Sequence, residues 1–527
     1  MFLNECLSEA LENGQDIWKE LRNFGLLPTP KSDLHGFSLD DLNTFFAGVS
    51  YSPTESLQEI TSLIEAAFTE GFKFRGVSLN YVILAVKHFS LQTTGTDNIP
   101  HKVIAKSLPS IGPYLVILFN QSLAAGYFPF SWKTSLLVAI KKVSTLSQAS
   151  DLRPVALLCF LSKVLERLAH DQITTYLKEK RLLDPLQTGF RQYSSSKTAF
   201  LKLTDDIRVG MSKKLVTLLL QFDFSIAFDT ISPLKLLPKL MEMGFSKQAL
   251  LWIKSYLEGR QLQVTSKTSR SVPLNINLGV PEGSVLRPLL FCIHINNVKS
   301  SLDSRISYIL YADDLQIYLQ TSPELMPEAL ELLSSTARRV SAWADNLSLR
   351  LNPGKTKAIY FGSSTFVDRS NKCNYRGVNM AKGVVVPFLN EVKSLGVILD
   401  SKLTWEPHII SIEKKVNKVL YTFRFIRHCT TETLRKQIVQ ALLAPHLDYC
   451  STVYIDACTR LKVRIQRLSN SGLRYIFGVR KNAHLSPFKK KIGWMRTETR
   501  RQYLMGIILY KILRLKHPDY LSHFFTS

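Results

Sequence analysis

Alternation of apolar and polar residues marks two strands near the middle of the chain. In ISYILYADDLQIYLQ, residues 306–320, apolar side chains occupy every second position on either side of two adjacent acids, Asp313 and Asp314. A period of two is typical of half-buried strands, so this stretch predicts a β-hairpin with the acids at its tip. The run LVTLLLQFDF, residues 215–224, is almost continuously apolar and predicts a strand covered on both faces.

Apolar residues at helical spacing predict helices around these strands. One such set follows the hairpin: Leu330, Leu333, Ala337, Val340 and Leu347. Ser232 and Pro233 suit the N-cap and first position of another helix, and a third helix is expected between Ser246 and Gly259. The segment KAIYFG, residues 357–362, predicts a further strand. Interleaved strands and helices favour an α+β fold, with an antiparallel sheet that carries helices on one face.

The chain divides into three regions, and its 527 residues suffice for about three domains. Residues 1–75 read as an N-terminal helical arm, residues 76–400 mix strands and helices, and residues 401–527 form a C-terminal region. A content of 45% apolar residues allows large cores. No apolar run reaches the roughly 18 residues of a membrane span, so no membrane association is expected. The acid-containing start, residues 1–21, does not predict a secretory signal.

Seven cysteines are scattered singly along the chain, and none belongs to a Cys-x-x-Cys pair. This spacing argues against a structural zinc site. It also favours a reduced intracellular setting, in the nucleus or the cytoplasm.

Positive charge is concentrated at the C-terminal end. The net charge is +25, and residues 401–527 carry 24 Lys and Arg against 7 Asp and Glu, a net +17. Such an excess predicts a polyanionic partner, most simply nucleic acid. A solvated basic face is the alternative.

The paired acids allow two interpretations. Asp is a common turn former, so Asp313 and Asp314 could mark only a solvated turn. Alternatively, two carboxylates fixed at a hairpin tip can bind divalent cations, which remove their mutual repulsion. Asp223 ends the predicted core strand. Three acids that meet at adjacent strand ends would suffice for a two-metal site acting on an in-line displacement.

An ordered set of motifs resembles the reverse transcriptases of non-LTR (LINE-type) retrotransposons, in particular the jockey-like branch. The motifs are FDFSIAFDT, GVPEGSVLRPLLF and YADD, accompanied by QTGFR, LRLNPGKTKAIYF and VKSLGVILDSKLTWEPHI. The set covers roughly residues 70–525 and is a far stronger signal than YADD alone. The resemblance implies a right-hand polymerase, with fingers and palm in residues 76–400 and a basic helical thumb in residues 401–527. Its partners would be an RNA template, a DNA primer and deoxynucleoside triphosphates.

The resemblance assigns catalytic roles to residues of these motifs. Asp223 and Asp313 would hold two Mg²⁺ ions, for which Mn²⁺ can substitute, with Asp314 beside them and the Phe224 carbonyl as a further ligand. One ion would lower the pKa of the primer 3′-hydroxyl, and the other would neutralise the leaving pyrophosphate. Lys355, in PGKTK, matches a lysine proposed to protonate pyrophosphate, although any loop lysine gives the same pattern.

Other residues match nucleotide-binding positions of the family. Lys142 and Arg153 correspond to the triphosphate-binding pair of the fingers, and a bidentate Arg suits phosphate; for Lys142 a solvated charge is equally compatible. Phe228 matches the aromatic residue that excludes a 2′-hydroxyl, with ordinary core packing as the alternative. Phe224, Ala227 and Glu282 also occupy nucleotide-binding positions.

Five residues depart from the family pattern. Glu282 stands where GVPQG has Gln, and a carboxylate beside a triphosphate is electrostatically unfavourable. Arg287 replaces the Gly of SVLGP in a tight position. The others are Asn297 for Asp, Ile226 for Lys and Asn98 for Gly. They predict impaired activity, as in a decaying copy. Too few residues precede the match for the endonuclease of intact relatives, so a truncated copy without one is expected.

Two other functions are compatible with the sequence. A catalytically dead remnant would keep the fold and the binding of nucleic acid, and primer extension with Mg²⁺ separates it from an active enzyme. A group II intron maturase shares YADD. However, the C-terminal segments VRIQRLSNSGLRYIFGV and IGWMRTETRRQYL resemble the jockey-like branch.

Overall fold

The computed structural model describes residues 17–23, 25–27, 36–52, 58–65, 70–89, 93–143, 146–266, 269–373, 375, 377–522 and 525. Most of the residues from which the absence of a secretory signal was argued, and parts of the predicted N-terminal arm, lie outside these ranges.

The α-helices of the described residues are numbered in chain order. Before residue 300 they are α1 (Ile17–Asn23), α2 (Leu39–Val49), α3 (Gln58–Glu65), α4 (Leu79–His88), α5 (His101–Ala125), α6 (Phe160–Glu179), α7 (Ser196–Ser212), α8 (Pro233–Glu242), α9 (Lys247–Leu257) and α10 (Arg287–His294). After residue 300 they are α11 (Met326–Asn346), α12 (Ser364–Cys373), α13 (Glu406–Arg424), α14 (Glu432–Ile438), α15 (Ala444–Asp448), α16 (Thr459–Phe477), α17 (Ser486–Ile492), α18 (Thr497–Leu515) and α19 (Asp519–Ser522).

The strands of the described residues are short and fall between residues 134 and 400. They are β1 (Thr134–Lys141), β2 (Leu152–Leu157), β3 (Val216–Phe222), β4 (Phe224–Ser225), β5 (Arg260–Val264), β6 (Leu274–Ile276), β7 (Ser307–Tyr311), β8 (Asp314–Thr321), β9 (Arg350–Leu351), β10 (Lys357–Phe361), β11 (Val378–Asn379), β12 (Val385–Val386), β13 (Glu391–Ser394) and β14 (Val397–Asp400). The predicted helices after Ser232, after Ser246 and around Leu333 are thereby confirmed, as is the strand in KAIYFG.

Four antiparallel strands form the central sheet, in the order β10-β3-β8-β7. The predicted hairpin is β7 and β8, in which Tyr311 pairs with Asp314 across a two-residue turn. The predicted core strand is β3, which pairs with β8 so that Phe222 lies opposite Leu315. Asp313 lies in the turn, whereas Asp314 is the first residue of β8.

Helices cover both faces of the central sheet, so the prediction of helices on one face is wrong. Leu219 of β3 packs in one core with Phe200 and Leu203 of α7. The neighbouring residue Leu218 packs in another core with Leu333 of α11. The almost continuous apolar run of β3 has this physical cause, because successive side chains of a strand point to opposite faces and both faces are buried.

A second sheet, here called the N-terminal sheet, has the order β2-β1-β5-β6. Helix α2 packs on it through Phe46, which shares a core with Leu137 and Ile276. The buried side chain of Asn43 donates hydrogen bonds to the carbonyl oxygens of Leu262 and Val272, at 3.2 and 2.6 Å. Part of the predicted N-terminal arm is therefore docked against the mixed region.

The C-terminal region is helical in the described residues, as the sequence predicts. Arg464 of α16 forms an ion pair with Glu413 of α13 at 2.5 Å, and both helices share the core that reaches α7. A π-helical segment, Val439–Leu443, continues α14. Near the end of the described chain, the Tyr520 hydroxyl donates to Thr198 Oγ1 at 2.8 Å, so α19 packs against α7.

Within the described residues, α5 is the one helix that is long and apolar enough by composition to cross a membrane. Only 28% of its most apolar window is buried. A core helix of a protein satisfies the same criterion, so this observation is weak support for a membrane span.

Candidate active site

Three carboxylates meet at one edge of the central sheet. Because Phe222 lies opposite Leu315, the next residue of the one chain, Asp223, lies beside the preceding residue of the other, Asp314. Residues facing each other across antiparallel strands have Cα atoms about 5 Å apart. Asp313 occupies the adjoining turn. The structure thus brings together the three acids that the sequence analysis singled out.

Backbone hydrogen bonds to Gln187 hold the turn that carries Asp313. The Gln187 Oε1 atom accepts from the backbone nitrogens of Ala312 and Gly189, at 3.1 and 3.0 Å. Ala312 adopts the left-handed conformation with φ 55°, and a Cβ at Gly189 would collide with its backbone nitrogen. Gln187 is 2% exposed. Gln187 was not predicted to have a role; its position in QTGFR, two residues before Gly189, was the available signal.

A separate turn fixes the backbone on either side of Asp223. The Asn352 nitrogen donates to the Asp223 carbonyl oxygen at 2.8 Å, and the Asp223 nitrogen donates to Thr356 Oγ1 at 3.5 Å. Phe224 pairs with Leu351 of β9. The exposed Lys355 belongs to this turn, so the structure places it next to the segment that carries Asp223.

Burial and mutual repulsion raise the pKa of the acids in the hairpin. The pKa of Asp314 rises to about 6, chiefly through burial and then through the charges of Asp313 and Asp223, while a hydrogen bond from Gln221 opposes the shift. Burial and the Asp223 charge also raise the pKa of Asp313. The three carboxylates are therefore close enough to repel one another.

The chemistry of this edge suits a hard divalent cation, although its side chains are not gathered around one. Within the part of the chain that the structure describes, no group of three or more His, Cys, Asp or Glu side chains is arranged to hold a metal ion. Carboxylate oxygens are nevertheless the ligands that Mg²⁺ prefers, and a cation would relieve the repulsion that raises the pKa of Asp314. The residues fit the group by charge and donor type.

A cavity of about 320 Å³ brings together three predicted nucleotide-binding residues: Lys142, Arg153 and Glu282. Lys142 and Arg153 lie where β1 and β2 pair. Ile140 faces Arg153, and the backbone nitrogen of Lys142 donates to the backbone carbonyl oxygen of Asp151 at 2.8 Å. Both side chains are exposed. Two cations in one cavity suit an anionic ligand such as a triphosphate.

Phe228 and Ala227 lie beside this cavity, outside the walls formed by the described residues. The Phe228 ring is partly buried and stacks on Phe291, with ring centres 4.2 Å apart. It also meets the edge of Phe190 at 6.1 Å. Ala227 is 3% exposed. This packing is compatible both with a rigidly held sugar-selecting ring and with an ordinary core Phe.

Two contributors to the cavity were missed by the sequence analysis. Phe45 of α2 lines it, because α2 docks on the N-terminal sheet. Glu166 of α6 is fully buried, and its Oε2 accepts from the Val285 nitrogen at 2.8 Å, which anchors the loop that follows Glu282. Both contacts join segments more than 100 residues apart, so local sequence patterns did not reveal them.

Two of the departures from the family pattern have structural explanations. Asn98 has φ 54°, a left-handed conformation that Gly and Asn adopt more readily than other residues. Asn297 accepts hydrogen bonds at Oδ1 from Lys239 and Trp343, at 2.9 and 3.1 Å, as a carboxylate would. Ile226 is 42% exposed with φ 58°, and nothing in the structure explains it.

Residues 140–397, which include all three acids, match the family model described as "Reverse transcriptase (RNA-dependent DNA polymerase)". The matched segment contains every strand of the central sheet.

Over most of its length the chain is similar to polymerases of non-LTR retrotransposons of Drosophila melanogaster. It is 28% identical over 447 residues to "Probable RNA-directed DNA polymerase from transposon BS", and this alignment covers 82% of the chain and 48% of the relative. It is 26% identical over 502 residues to "RNA-directed DNA polymerase from mobile element jockey", and this alignment covers 90% of the chain and 54% of the relative. The resemblance to jockey-like elements is confirmed, and the chain spans about half the length of these relatives.

Asp314 provides a test of the repulsion at this edge. Its pKa rises from 3.8 to about 6 on folding, so the folded chain keeps a proton that the unfolded chain has lost. Stability therefore falls as the pH rises through this range. Without divalent cations, we expect Asp314→Asn to raise the melting temperature by a few degrees at about pH 7.5 and to change it little below about pH 4.

The control for this experiment is Asp205→Asn, which removes an exposed carboxylate of α7. It should leave the melting temperature nearly unchanged at both pH values. The same shift for Asp314→Asn at both pH values, or destabilisation near pH 7.5, would contradict the account.

Proposed function

We propose that this chain catalyses RNA-directed DNA synthesis. The observation that carries the proposal is the placement of Asp223, Asp313 and Asp314 at one sheet edge, inside the segment that matches reverse transcriptases. The central sheet is then the palm, the N-terminal sheet with its cavity belongs to the fingers, and residues 401–527 form the thumb. The substrates are an RNA template, a DNA primer and deoxynucleoside triphosphates, met in the nucleus or the cytoplasm.

The three carboxylates and the Phe224 carbonyl are the groups that would hold two Mg²⁺ or Mn²⁺ ions. When bound, these ions favour ionisation of the primer 3′-hydroxyl and neutralise charge on the leaving pyrophosphate. Gln187 and the turn at Asn352 keep the carboxylates in place through backbone hydrogen bonds. Little covalent chemistry is then required of the protein, because phosphoryl transfer depends mainly on positioning and charge stabilisation.

Cationic side chains bind and position the triphosphate. The Arg153 guanidinium can contact two phosphate oxygens at once, and Lys142 adds a second positive charge in the same cavity. Lys355, in the turn beside the Asp223 backbone, donates a proton to the leaving pyrophosphate. Phe228 excludes ribonucleotides by occupying the space of a 2′-hydroxyl, and its stack on Phe291 supports this role because it restrains the ring.

Primer extension distinguishes this proposal from a catalytically dead binding remnant, which Glu282 in the cavity would favour. On an RNA template with Mg²⁺, we expect measurable synthesis that Asp313→Asn reduces to background. Because the departures lie around the metal-binding acids rather than at them, the rate should be about 10–100-fold below that of family members without them.

Asp205→Asn is the matched control and should leave extension unchanged. Binding of template–primer without extension would support the remnant. Extension that persists in Asp313→Asn would contradict the catalytic role proposed for the three acids.

Three cations cluster where α16, α17 and α18 meet in the proposed thumb. Burial, together with the charges of Arg496 and Arg474, lowers the pKa of Lys489. Positive charge clustered in this way suits a nucleic-acid backbone, which releases counterions when it is neutralised. We therefore expect the thumb to grip template–primer through phosphates, without reading sequence.

Salt dependence of template–primer affinity tests the role of these cations. The logarithm of the affinity should fall linearly with the logarithm of the salt concentration, and Arg496→Gln should reduce the slope by about one. The control is Lys402→Gln, because Lys402 is already paired with Asp368 at 2.9 Å. An Arg496→Gln slope equal to that of the wild type would rule out a phosphate contact.

A further inference from the structure

Arg287, one of the departures from the family pattern, is held by an unusual set of contacts. It is the first residue of α10, where a positive charge is unfavourable because the helix dipole is positive at that end. Its side chain is nevertheless only 12% exposed. A largely buried cation at this position requires specific partners.

Two oxygen atoms from different segments bind the guanidinium. Arg287 Nη1 forms an ion pair with Asp229 Oδ1 at 2.9 Å and donates to the Val280 carbonyl oxygen at 2.6 Å. Asp229 and Val280 both line the cavity that contains Lys142 and Arg153. Arg287 therefore links the segment of Asp229 to the segment of Val280, both of which line this cavity.

The same side chain restrains Phe228. The guanidinium carbon lies 5.1 Å from the centre of the Phe228 ring, close enough for a cation–π interaction. Phe291 stacks on the ring at 4.2 Å. Because Arg287 and Phe291 are four residues apart, they lie on one face of α10. Two residues of α10 thus contact the Phe228 ring. In addition, the backbone nitrogen of Val280 donates to the backbone carbonyl oxygen of Phe228 at 3.3 Å.

Arg287 also compensates the second departure, Glu282. The Glu282 Oε2 atom is buried and has no hydrogen-bond partner among the described residues. Burial raises the pKa of this carboxyl and Asp229 adds to the effect, whereas Arg287 opposes it most strongly, ahead of Arg153 and Lys142. Glu282 shares its cavity with Asp229 and Val280, the two residues whose oxygens bind Arg287, so the positive charge of Arg287 is held close to this carboxyl.

We propose that Arg287 is a positioning residue of the nucleotide cavity, which holds the Phe228–Asp229 turn against the Val280–Glu282 loop and offsets the charge of Glu282. The effects of Glu282 and Arg287 on nucleotide binding then depend on each other, and neither residue acts only to impair activity. The role in nucleotide binding rests on the proposed function, whereas the clamp between the two segments is a property of the fold.

Hydrogen–deuterium exchange tests the clamp without requiring polymerase activity. Arg287→Met keeps an unbranched apolar stem and removes the guanidinium with its charge, and Arg287→Lys keeps the charge. We expect Arg287→Met to accelerate exchange in residues 226–231 and 279–283 by roughly tenfold, because local opening of these segments becomes easier. Arg287→Lys should lie between this variant and the wild type.

The matched control for exchange is Arg338→Met, which removes an exposed Arg paired with Glu331 at 2.8 Å. It should leave both segments unchanged. Equal protection in the wild type and in Arg287→Met would overturn the clamp.

Kinetics test the mutual dependence of Arg287 and Glu282. Arg287→Met should raise the KM for deoxynucleotides by roughly tenfold. When Glu282→Gln is also present, the rise should be at least about threefold smaller, because the cavity then holds no carboxylate that needs the charge of Arg287. The kcat should change less than KM, and discrimination against ribonucleotides should fall because Phe228 is less restrained.

If the effects of the two substitutions on KM are additive, Arg287 does not compensate Glu282. The control is Arg338→Met, alone and with Glu331→Gln, which should leave KM unchanged. Absence of extension in every variant, including the wild type, would refute the proposed function and with it the role of Arg287 in nucleotide binding. The exchange result would still decide whether the clamp exists.

Discussion

Repulsion between partly buried carboxylates is the main physical constraint at the edge of the central sheet. Asp313 and Asp314 lie together in the hairpin, and Asp223 faces them from the neighbouring strand. The bonds from Gln187 that fix this hairpin reach backbone atoms of Ala312. They therefore set the shape of the turn without neutralising its charge, and the raised pKa of Asp314 records the repulsion that remains.

Opposite charges are separated between this edge and the neighbouring cavity. The edge carries three acids, whereas the cavity presents Lys142 and Arg153. The proposed triphosphate substrate would be stabilised by positive charge. Under the proposed function, the cavity supplies the protein's own cations and the sheet edge supplies carboxylates that would bind metal ions. Arg287 belongs to the first group, since it provides the positive charge that permits Glu282 to stand in the cavity wall.

Sequence predicted the parts of the site that follow from local periodicity and from ordered motifs. Alternation in β7 and β8 gave the hairpin, and the position of Asp223 at the end of a core strand gave the third acid. Contacts between distant segments were beyond such patterns. The docking of α2 depends on Asn43 and carbonyl groups more than 200 residues away. The apolar run of β3 predicts burial on both faces of this strand, and the structure agrees. The prediction of helices on one face followed a general tendency of antiparallel sheets, and it is wrong for this chain.

Metal binding at the sheet edge is the central claim, and crystals of the full chain with Mn²⁺, template–primer and a deoxynucleotide test it most directly. Anomalous scattering identifies Mn²⁺ independently of the protein density. The account predicts an anomalous peak in contact with the carboxylates of Asp223 and Asp313, and its loss in Asp313→Asn. A bound nucleotide without any anomalous peak at these carboxylates would contradict it.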